Sequence, residues 1–342
     1  MIRFNNDYSR GAHPAVLEAL AATNGDSYGG YGLDPWCEKA ADEIRAHLNC
    51  PKAAVHFLVG GTQVNYTAIA ACLLPYQSVI CAETGHIHAH ETGALEHIGH
   101  KILTVPARNG KITAAQISEI GEDYRTSPIQ EHITQPKTVY ISFPTEYGTV
   151  YTLKELKELR TACDRYGMVL FVDGARMGYG LAASDVTLKD MARLADLFTI
   201  GGTKCGALFG EALVIVNPAL KPNFRSYIKQ NGAMLAKGWL LGLQFHALFE
   251  NGLYFHICRR AVELAAEIKA AFAAKGVPAY IDSPTNQQFV ILTHAQIEAL
   301  EKKYVFELDH RVDEDRVCVR FCTSWYTSDE DVRALAEDIK NL

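Results

Sequence analysis

Short apolar runs rich in valine, isoleucine and phenylalanine alternate with longer stretches in which apolar residues recur at helical spacing. The runs lie at residues 54–59, 78–81, 102–105, 138–142, 168–172 and 197–200. Within each run the apolar residues are mostly continuous, which is typical of strands that crossover helices cover on both faces. The pattern therefore predicts an α/β fold in which a large domain holds a mostly parallel sheet.

The pattern changes near Gly238. Two long amphipathic stretches, 240–255 and 259–275, come before two strand-like segments, 284–292 and 316–322. These features predict a smaller C-terminal α+β domain. The predicted domains are residues 1–240, which include the N-terminal segment, and residues 241–342. No linker rich in proline or serine separates them, so we expect the two domains to pack closely.

The last predicted helix has clear end signals. Ser328 is a good N-cap residue, and Asp329 and Glu330 follow it, where the positive end of the helix dipole favours acidic side chains. We expect this helix to end at Lys340.

The composition fits a folded protein of ordinary charge. The 342 residues correspond to about two domains at roughly 150 residues each, and 48% of them are apolar, which excludes disordered and collagen-like chains. Lys and Arg number 33 against 39 Asp and Glu, a net charge of −6, and no block of five like charges occurs. A basic surface for a phosphate backbone is absent from this pattern, so we expect no nucleic-acid partner.

The chain also lacks the marks of export or membrane insertion. The N-terminus has no apolar stretch typical of a signal peptide, and no uninterrupted run reaches the roughly 18 apolar residues of a membrane span. Nine cysteines are scattered, with only Cys318 and Cys322 close together, which indicates buried thiols rather than a disulfide framework. We expect a cytoplasmic protein with no membrane partner.

Two of the predicted strands end in groups that could do chemistry, at the sheet edge where α/β proteins bind ligands. Asp173 follows the run 168–172, and a carboxylate buried there needs a partner, for which Arg176 is the nearest cation. Lys204 follows the run 197–200 among glycines. Burial should lower its pKa and leave a neutral, nucleophilic amine. The pair indicates imine chemistry.

An amine that does carbanion chemistry needs an electron sink. Pyridoxal 5′-phosphate supplies one when a carboxylate keeps its pyridine nitrogen protonated, a role that Asp173 can fill. Its phosphate requires backbone N–H groups at a helix start, which Gly60, Gly61 and Thr62 offer. Each feature alone is also a common structural device. Together they predict a pyridoxal-phosphate site.

Dispersed motifs in a fixed order extend over nearly the entire chain. They are Phe4-Asn-Asn-Asp7, Tyr28-Gly-Gly-Tyr31, Gly60-Gly-Thr-Gln-Val-Asn65, His86-Ile-His-Ala-His-Glu91, Thr145-Glu-Tyr-Gly-Thr-Val-Tyr151, Asp173-Gly-Ala-Arg176, Thr203-Lys204 and Arg320-Phe-Cys-Thr-Ser324. In these motifs the sequence resembles the low-specificity L-threonine aldolases of the β-eliminating lyase group. The resemblance implies an aspartate-aminotransferase-like fold with a seven-stranded type of sheet. It also implies a pyridoxal-phosphate-dependent lyase that cleaves L-threonine or L-allo-threonine to glycine and an aldehyde.

The resemblance implies a role for each motif residue. Lys204 would form the Schiff base and Asp173 would hold the pyridine nitrogen. His86 would stack on the cofactor ring, and Gly60, Gly61 and Thr62 would bind its phosphate. Arg176 and Arg320 match the arginines that hold the substrate carboxylate, and Arg176 also lies among the cofactor-binding residues.

Further substrate contacts follow from the same resemblance. Asn6 and Glu146 stand where many members have serine and histidine, and both positions contact substrate. Tyr31 would come from a second subunit, and Lys229 and Lys237 would reach a neighbouring subunit's cofactor. The resemblance therefore implies a homo-oligomer, either a dimer or a tetramer.

The alternation of His86, His88 and His90 leaves two interpretations. On a strand all three would share one face, in the arrangement of metal ligands. Alternatively the strand stops near Cys81 and only His86 faces the site. The resemblance favours stacking by His86, so no metal ion is predicted.

Some alternatives stay open. The base that takes the proton of the substrate β-hydroxyl could be His86, Glu146 or a water held by either, and Glu146 could instead be a structural carboxylate paired with a nearby base. A β-eliminating lyase or an aminotransferase would use the same cofactor, and a protein that binds the cofactor without turnover is a further class. A nicotinamide enzyme is disfavoured because no GxGxxG opens a helix after an early strand.

Overall fold

The computed structural model of the protein describes residues 1–342. The strands are β1 (Ile2–Arg3), β2 (Ala54–Leu58), β3 (Gln77–Ala82), β4 (Lys101–Val105), β5 (Gln135–Ser142), β6 (Val169–Asp173), β7 (Leu197–Gly201), β8 (Glu211–Ile215), β9 (Gln287–Thr293), β10 (Tyr304–Val305), β11 (Glu307–Arg311) and β12 (Arg316–Cys322). The helices are α1 (Pro14–Thr23), α2 (Pro35–Leu48), α3 (Gly61–Cys72), α4 (His86–Ala89), α5 (Ala94–His97), α6 (Ala114–Thr126), α7 (Leu153–Tyr166), α8 (Met177–Ala182), α9 (Leu188–Leu194), α10 (Phe224–Gln230), α11 (Trp239–Phe249), α12 (Leu253–Lys275), α13 (His294–Glu301) and α14 (Asp329–Lys340).

A seven-stranded sheet with the order β2-β8-β7-β6-β5-β3-β4 forms the centre of the larger part of the molecule. The five strands β7, β6, β5, β3 and β4 run parallel to one another, whereas β8 runs antiparallel to both β7 and β2. The predicted mostly parallel sheet is therefore confirmed, and each of the six apolar runs corresponds to one of its strands. The seventh strand, β8, had no predicted counterpart.

Both faces of this sheet are covered, as continuous apolarity indicates. In β6, Leu170 and Val172 point into one apolar cluster, whereas Val169 and Phe171 point into another on the opposite face. Because side chains alternate along a strand, each cluster receives every second residue. The two clusters hold the strand ends in fixed positions.

A second sheet of three antiparallel strands, in the order β11-β12-β9, lies in the C-terminal part. Val319 and Phe321 on one face of β12 pack into an apolar cluster with residues of α12 and α14. At the other end of the chain, β1 pairs in parallel with β10, and Phe4 joins the same cluster. The N-terminal residues therefore pack against the C-terminal part, and the division at residue 240 remains a prediction.

The ends of the C-terminal helices differ in how well the sequence indicates them. The sequence predicts a boundary between two helices near residue 256. In the structure α11 ends earlier, at Phe249, and α12 begins at Leu253. Gly252, just before α12, is in the left-handed region at φ 69°. The last helix is as predicted, since the Ser328 side chain accepts a hydrogen bond from the Asp331 N–H and α14 runs to Lys340.

No helix is both long enough and apolar enough to cross a membrane. All nine cysteines are free thiols, and eight of them are buried.

Candidate active site

Parallel strands bring the predicted chemical groups to one edge of the sheet. Strand β6 ends at Asp173, and β7, its neighbour, ends at Gly201, three residues before Lys204. On the other side of β6, Ser142 at the end of β5 pairs with Asp173. The strand ends that the sequence marks as chemical are therefore adjacent.

Lys204 has a half-buried side chain in a tight turn. Burial lowers its pKa, and the positive charge of Arg176 lowers the pKa further. The Tyr179 hydroxyl donates a 2.6 Å hydrogen bond to the Lys204 carbonyl and fixes the backbone there. A Cβ on Gly201 would lie 2.1 Å from the Ala175 carbonyl oxygen, so this glycine allows close backbone packing.

Asp173 is buried, and three neutral groups donate hydrogen bonds to it. The Tyr140 hydroxyl lies 2.6 Å away, and the Asn65 amide and the Ala175 N–H each lie 2.9 Å away. The predicted pairing with Arg176 is wrong, because that guanidinium turns to Asp7 instead. Neutral donors can satisfy a buried carboxylate without a paired cation.

Arg176 forms a two-point ion pair with Asp7. Its Nε lies 2.7 Å from Oδ2 and its Nη2 lies 3.0 Å from Oδ1 of this buried carboxylate. Asn286 donates a further hydrogen bond of 3.0 Å to Asp7. The fork of Arg176 is thus already matched to a carboxylate of the protein.

A chain of hydrogen bonds joins His86 to Asp173. His86 Nδ1 lies 2.8 Å from Glu91 Oε1, which also accepts a 2.8 Å bond from Asn65 Nδ2. The same amide nitrogen donates to Asp173. Burial acts to lower the pKa of His86, but the hydrogen bond that its imidazole donates to Glu91 and the charge of Asp173 raise it overall.

His86 and His88 lie on the short helix α4, and His90 is its C-cap. Strand β3 ends at Ala82, so the interpretation with three histidines on one strand face is wrong. The strand stops close to Cys81, as the alternative had it. The His86 and His90 rings lie 5.6 Å apart, centroid to centroid.

Glu146 has a half-buried side chain at the same edge of the sheet. Oε1 accepts hydrogen bonds from the Ser142 hydroxyl at 2.6 Å and from the His86 N–H at 2.9 Å. Removal from water raises the pKa of this carboxyl group. Both partners are neutral donors, so the interpretation in which a nearby base pairs with Glu146 is wrong.

The start of helix α3 offers free backbone groups and open space. Gly60 is the N-cap in an extended conformation, Gly61 begins the helix, and Thr62 follows. A Cβ on either glycine would meet nothing within 4 Å, so the packing of the protein does not itself require glycine there. The N–H groups of this turn are suited to an anion.

Arg320 is held much more loosely than Arg176. Its Nη1 lies 3.4 Å from the Gln287 side-chain oxygen and its Nη2 lies 3.2 Å from the Asn5 carbonyl oxygen. Its buried Nε has no partner. Asn6 follows Asn5 in the chain. Its side-chain oxygen accepts two hydrogen bonds from groups in its own turn. The buried Nε of Arg320, which has no partner in the protein, is suited to a carboxylate that comes from outside the chain.

Tyr31 lies on a different surface. It is 48% exposed, and Lys229 Nζ lies 5.1 Å from the centroid of its ring. Tyr31 lines a cavity of about 640 Å³ together with Arg225 and His56. None of the other predicted site residues lines this cavity, and Lys237 is an exposed residue between α10 and α11.

Sequence reasoning assigned no role to four residues that hold the site together: Asp7, Asn65, Glu91 and Tyr140. Three of them are part of the quoted motifs, so their position there was the available signal. Tyr140 gave a weaker signal, a phenolic hydroxyl between the apolar residues Val139 and Ile141 of β5.

Comparison with solved structures first defines the class of fold. The chain superposes on aspartate aminotransferase from Thermus thermophilus with a TM-score of 0.70 at 16% identity, over 100% of this chain and 91% of that one. The molecule therefore has the aspartate-aminotransferase-like fold, as predicted. A threonine aldolase structure from Leishmania major is more similar, with a TM-score of 0.97 and 42% identity over 100% of this chain and 99% of that one.

The family follows from the sequence itself. The family model described as Beta-eliminating lyase matches residues 7–341, and the chain belongs to this family of pyridoxal-phosphate enzymes. Two relatives named low specificity L-threonine aldolase cover 99% of the chain and are matched over 97% of their own length. They come from Pseudomonas sp. (strain NCIMB 10558), at 31% identity, and Pseudomonas aeruginosa, at 33%. The chain is accordingly a lyase.

Proposed function

We propose that this protein is a pyridoxal-phosphate-dependent aldehyde-lyase that cleaves β-hydroxy-α-amino acids, among them L-threonine and L-allo-threonine, to glycine and an aldehyde. The observation that carries the proposal is the adjacency of Lys204 and Asp173 at the ends of neighbouring parallel strands. The names of relatives that match along almost the full length support the choice of substrate.

The residues at this edge fit the cofactor. The open turn at Gly60 and Gly61 suits its phosphate, and Asp173, held by neutral donors, can keep a pyridine nitrogen protonated. His86 is the proposed stacking partner of the ring. When bound, pyridoxal 5′-phosphate supplies an electron sink for the bond that breaks at the substrate α-carbon.

Lys204 is the proposed attachment point. A neutral amine is the nucleophile in this chemistry, and both burial and the charge of Arg176 favour the neutral form. Arg176 thus serves the site through its effect on Lys204 and through its pair with Asp7. Its Asp7 partner makes it a poorer substrate ligand than the sequence suggested.

Arg320 is the proposed ligand of the substrate carboxylate. Its free Nε and weakly engaged Nη atoms can form the two parallel hydrogen bonds that a carboxylate accepts. Arg320 contacts the carbonyl of Asn5, and Asn6 is the next residue in the chain. We therefore propose Asn6 as a second contact of the substrate. Fixing the carboxylate also fixes which bond of the α-carbon faces the electron sink.

Cleavage requires a base for the β-hydroxyl proton, and such a base typically contributes 10²–10⁴-fold, roughly, to the rate. We assign this role to Glu146, directly or through a water. Its raised pKa makes it a stronger base than an ordinary carboxylate. His86 has its Nδ1 engaged by Glu91, so it is suited to positioning.

The resemblance to the low-specificity L-threonine aldolases supports a cytoplasmic homo-oligomer, a dimer or a tetramer, that makes glycine from threonine. Exposed Tyr31 and the neighbouring Lys229 and Lys237 would then contribute to a partner's site. The free state of all nine cysteines is consistent with a reducing compartment.

The test is a panel of β-hydroxy amino acids incubated with the purified holoenzyme. We expect release of glycine and aldehyde in equal amounts, and loss of both in Lys204→Ala together with loss of visible absorption by the cofactor. Release of ammonia or a keto acid in place of glycine would identify an eliminating lyase or an aminotransferase. Visible absorption with no product from any substrate would mean a cofactor-binding protein without turnover.

A further inference from the structure

A β-bulge in the C-terminal sheet brings three metal-binding side chain types together. In the β11–β12 pair, Leu308 lies opposite Val319 and His310 lies opposite Cys318, so the register shifts between Leu308 and His310. Asp309 is the extra residue. A bulge of this kind lets two consecutive side chains point to the same face, opposite one residue of the partner strand.

The bulge thereby places Asp309, His310 and Cys318 in one cluster. One ligand atom from each, a carboxylate oxygen, an imidazole nitrogen and the thiol sulfur, lies within 4.8 Å of the others. Asp309 Oδ2 already contacts His310 Nδ1 at 2.7 Å. None of these three residues takes part in the proposed reaction, so the cluster needs a separate account.

We propose that Asp309, His310 and Cys318 bind one transition-metal ion of the zinc class, with a water in the fourth position. Cysteine sulfur, histidine nitrogen and aspartate oxygen are the protein ligands that Zn²⁺ takes in tetrahedral sites. A thiolate disfavours Mg²⁺ and Ca²⁺, which prefer oxygen ligands alone. On binding, the thiol and any protonated imidazole release a proton to solvent.

The surroundings suit such an ion. Cys318 is fully buried among Ile281 and Phe289, so its sulfur sits on an apolar floor. The Tyr280 ring packs edge-on against His310 with centroids 4.7 Å apart, which limits rotation of the imidazole. Asp309 is exposed and leaves a way in from solvent.

The site would stabilise the strand that carries the substrate arginine. Cys318 and Arg320 are two residues apart on β12 and therefore point to the same face of the sheet. An ion that joins β11 to β12 at Cys318 would tie this part of the hairpin together. We assign the ion to this tie between the two strands, because none of its three ligands takes part in the proposed reaction.

The binding experiment uses the holoenzyme, stripped with a chelator and then dialysed against Zn²⁺ or Co²⁺. We expect one equivalent per chain, a rise in melting temperature, and a thiolate-to-cobalt charge-transfer band in the near ultraviolet. His310→Ala and Asp309→Asn alter side chains at the surface and should fold normally. Each should weaken the ion's affinity by at least about tenfold, since even outer-shell changes cost this much.

Matched controls separate this cluster from other histidine and cysteine side chains of the protein. His294→Ala removes an exposed histidine and Cys50→Ser a partly buried free thiol, and both should leave binding unchanged. Cys318→Ser should abolish the cobalt band. The proposal is overturned if the wild-type protein gives no such band, or if the band survives in Cys318→Ser or the affinity survives in His310→Ala.

Discussion

Asp7 and Arg176, 169 residues apart in the chain, form a buried ion pair with two contacts of 2.7 and 3.0 Å. Burial acts to raise the pKa of Asp7, but Arg176 and Lys204 lower it overall. The pair fixes the N-terminal segment against the loop that follows β6. It also keeps Asn6 and Arg176 in place on the same side of the molecule.

Asp7→Asn should therefore destabilise the fold. Removal of one partner from a buried pair leaves an uncompensated charge and costs about 3–5 kcal/mol in free energy of unfolding. Urea denaturation at neutral pH measures the loss, and Asp123→Asn, which changes an exposed aspartate on α6, is the control. Equal stability of the wild type and Asp7→Asn would contradict the role of the pair.

The same pair predicts a pH dependence of stability. Because the pKa of Asp7 is lowered in the folded protein, its contribution is complete above the ordinary value of 3.8 and is lost as the pH falls through the lower folded value. The difference in unfolding free energy between wild type and Asp7→Asn should consequently narrow in strong acid. Denaturation curves at a series of pH values below neutrality give this difference directly.

Asp173→Asn should reduce kcat by at least about tenfold, equivalent to about 1.4 kcal/mol of barrier, because a neutral amide cannot keep the pyridine nitrogen protonated. Cofactor absorption should persist, since Lys204 is unchanged. Tyr140→Phe removes one hydrogen bond to the carboxylate and should give a smaller loss. Full activity in Asp173→Asn would remove Asp173 from its assigned role.

Arg320→Ala should raise KM for threonine. Loss of charge-assisted hydrogen bonds to the substrate carboxylate costs about 1.5–3 kcal/mol, or roughly 10- to 150-fold in kcat/KM. Arg316→Ala, at the exposed start of the same strand, should leave kcat/KM unchanged. If both variants melt at about the temperature of the wild type, the effect of Arg320→Ala concerns binding and not folding. An equal loss of kcat/KM in Arg320→Ala and Arg316→Ala would argue against a specific contact.

Glu91→Gln should lower the pKa of His86, because Glu91 is the strongest of the groups that raise it and burial would then dominate. NMR titration of the His86 imidazole measures the shift. Glu96→Gln replaces an exposed carboxylate in α5 and should leave the His86 titration unchanged. An unchanged His86 titration in Glu91→Gln would mean that Glu91 only fills space.

The sequence predicts the large sheet well because the central parallel strands are buried on both faces and appear in the sequence as continuous apolar runs. It missed β8, which begins with Glu211 and runs antiparallel beside the glycine-rich turn at Lys204. The Glu211 carboxylate accepts a 2.9 Å bond from the Gly202 N–H, so a residue that looks like a surface group is buried. A single buried contact of this kind produces no periodic pattern of apolar residues in the sequence.

The site was predicted in its parts but not in its pairings. Strand ends and glycine turns are local features, and the structure has Lys204, Asp173 and Gly60 at or just after strand ends, as the sequence indicates. The partner of Arg176 depends on a contact across most of the chain. Proximity in sequence favoured Asp173, whereas the fold brings Asp7 to the guanidinium.

The pairing of β1 with β10 has a consequence for the order of synthesis. The Cys322 N–H donates to the Phe4 carbonyl at 2.6 Å, and Arg320 contacts Asn5, which lies 315 residues earlier in the chain. A chain still on the ribosome can complete the large sheet while its N-terminal segment has no strand to join. The contacts that position Arg320 should thus form only after β12 has emerged, so the proposed carboxylate site is completed after the large sheet.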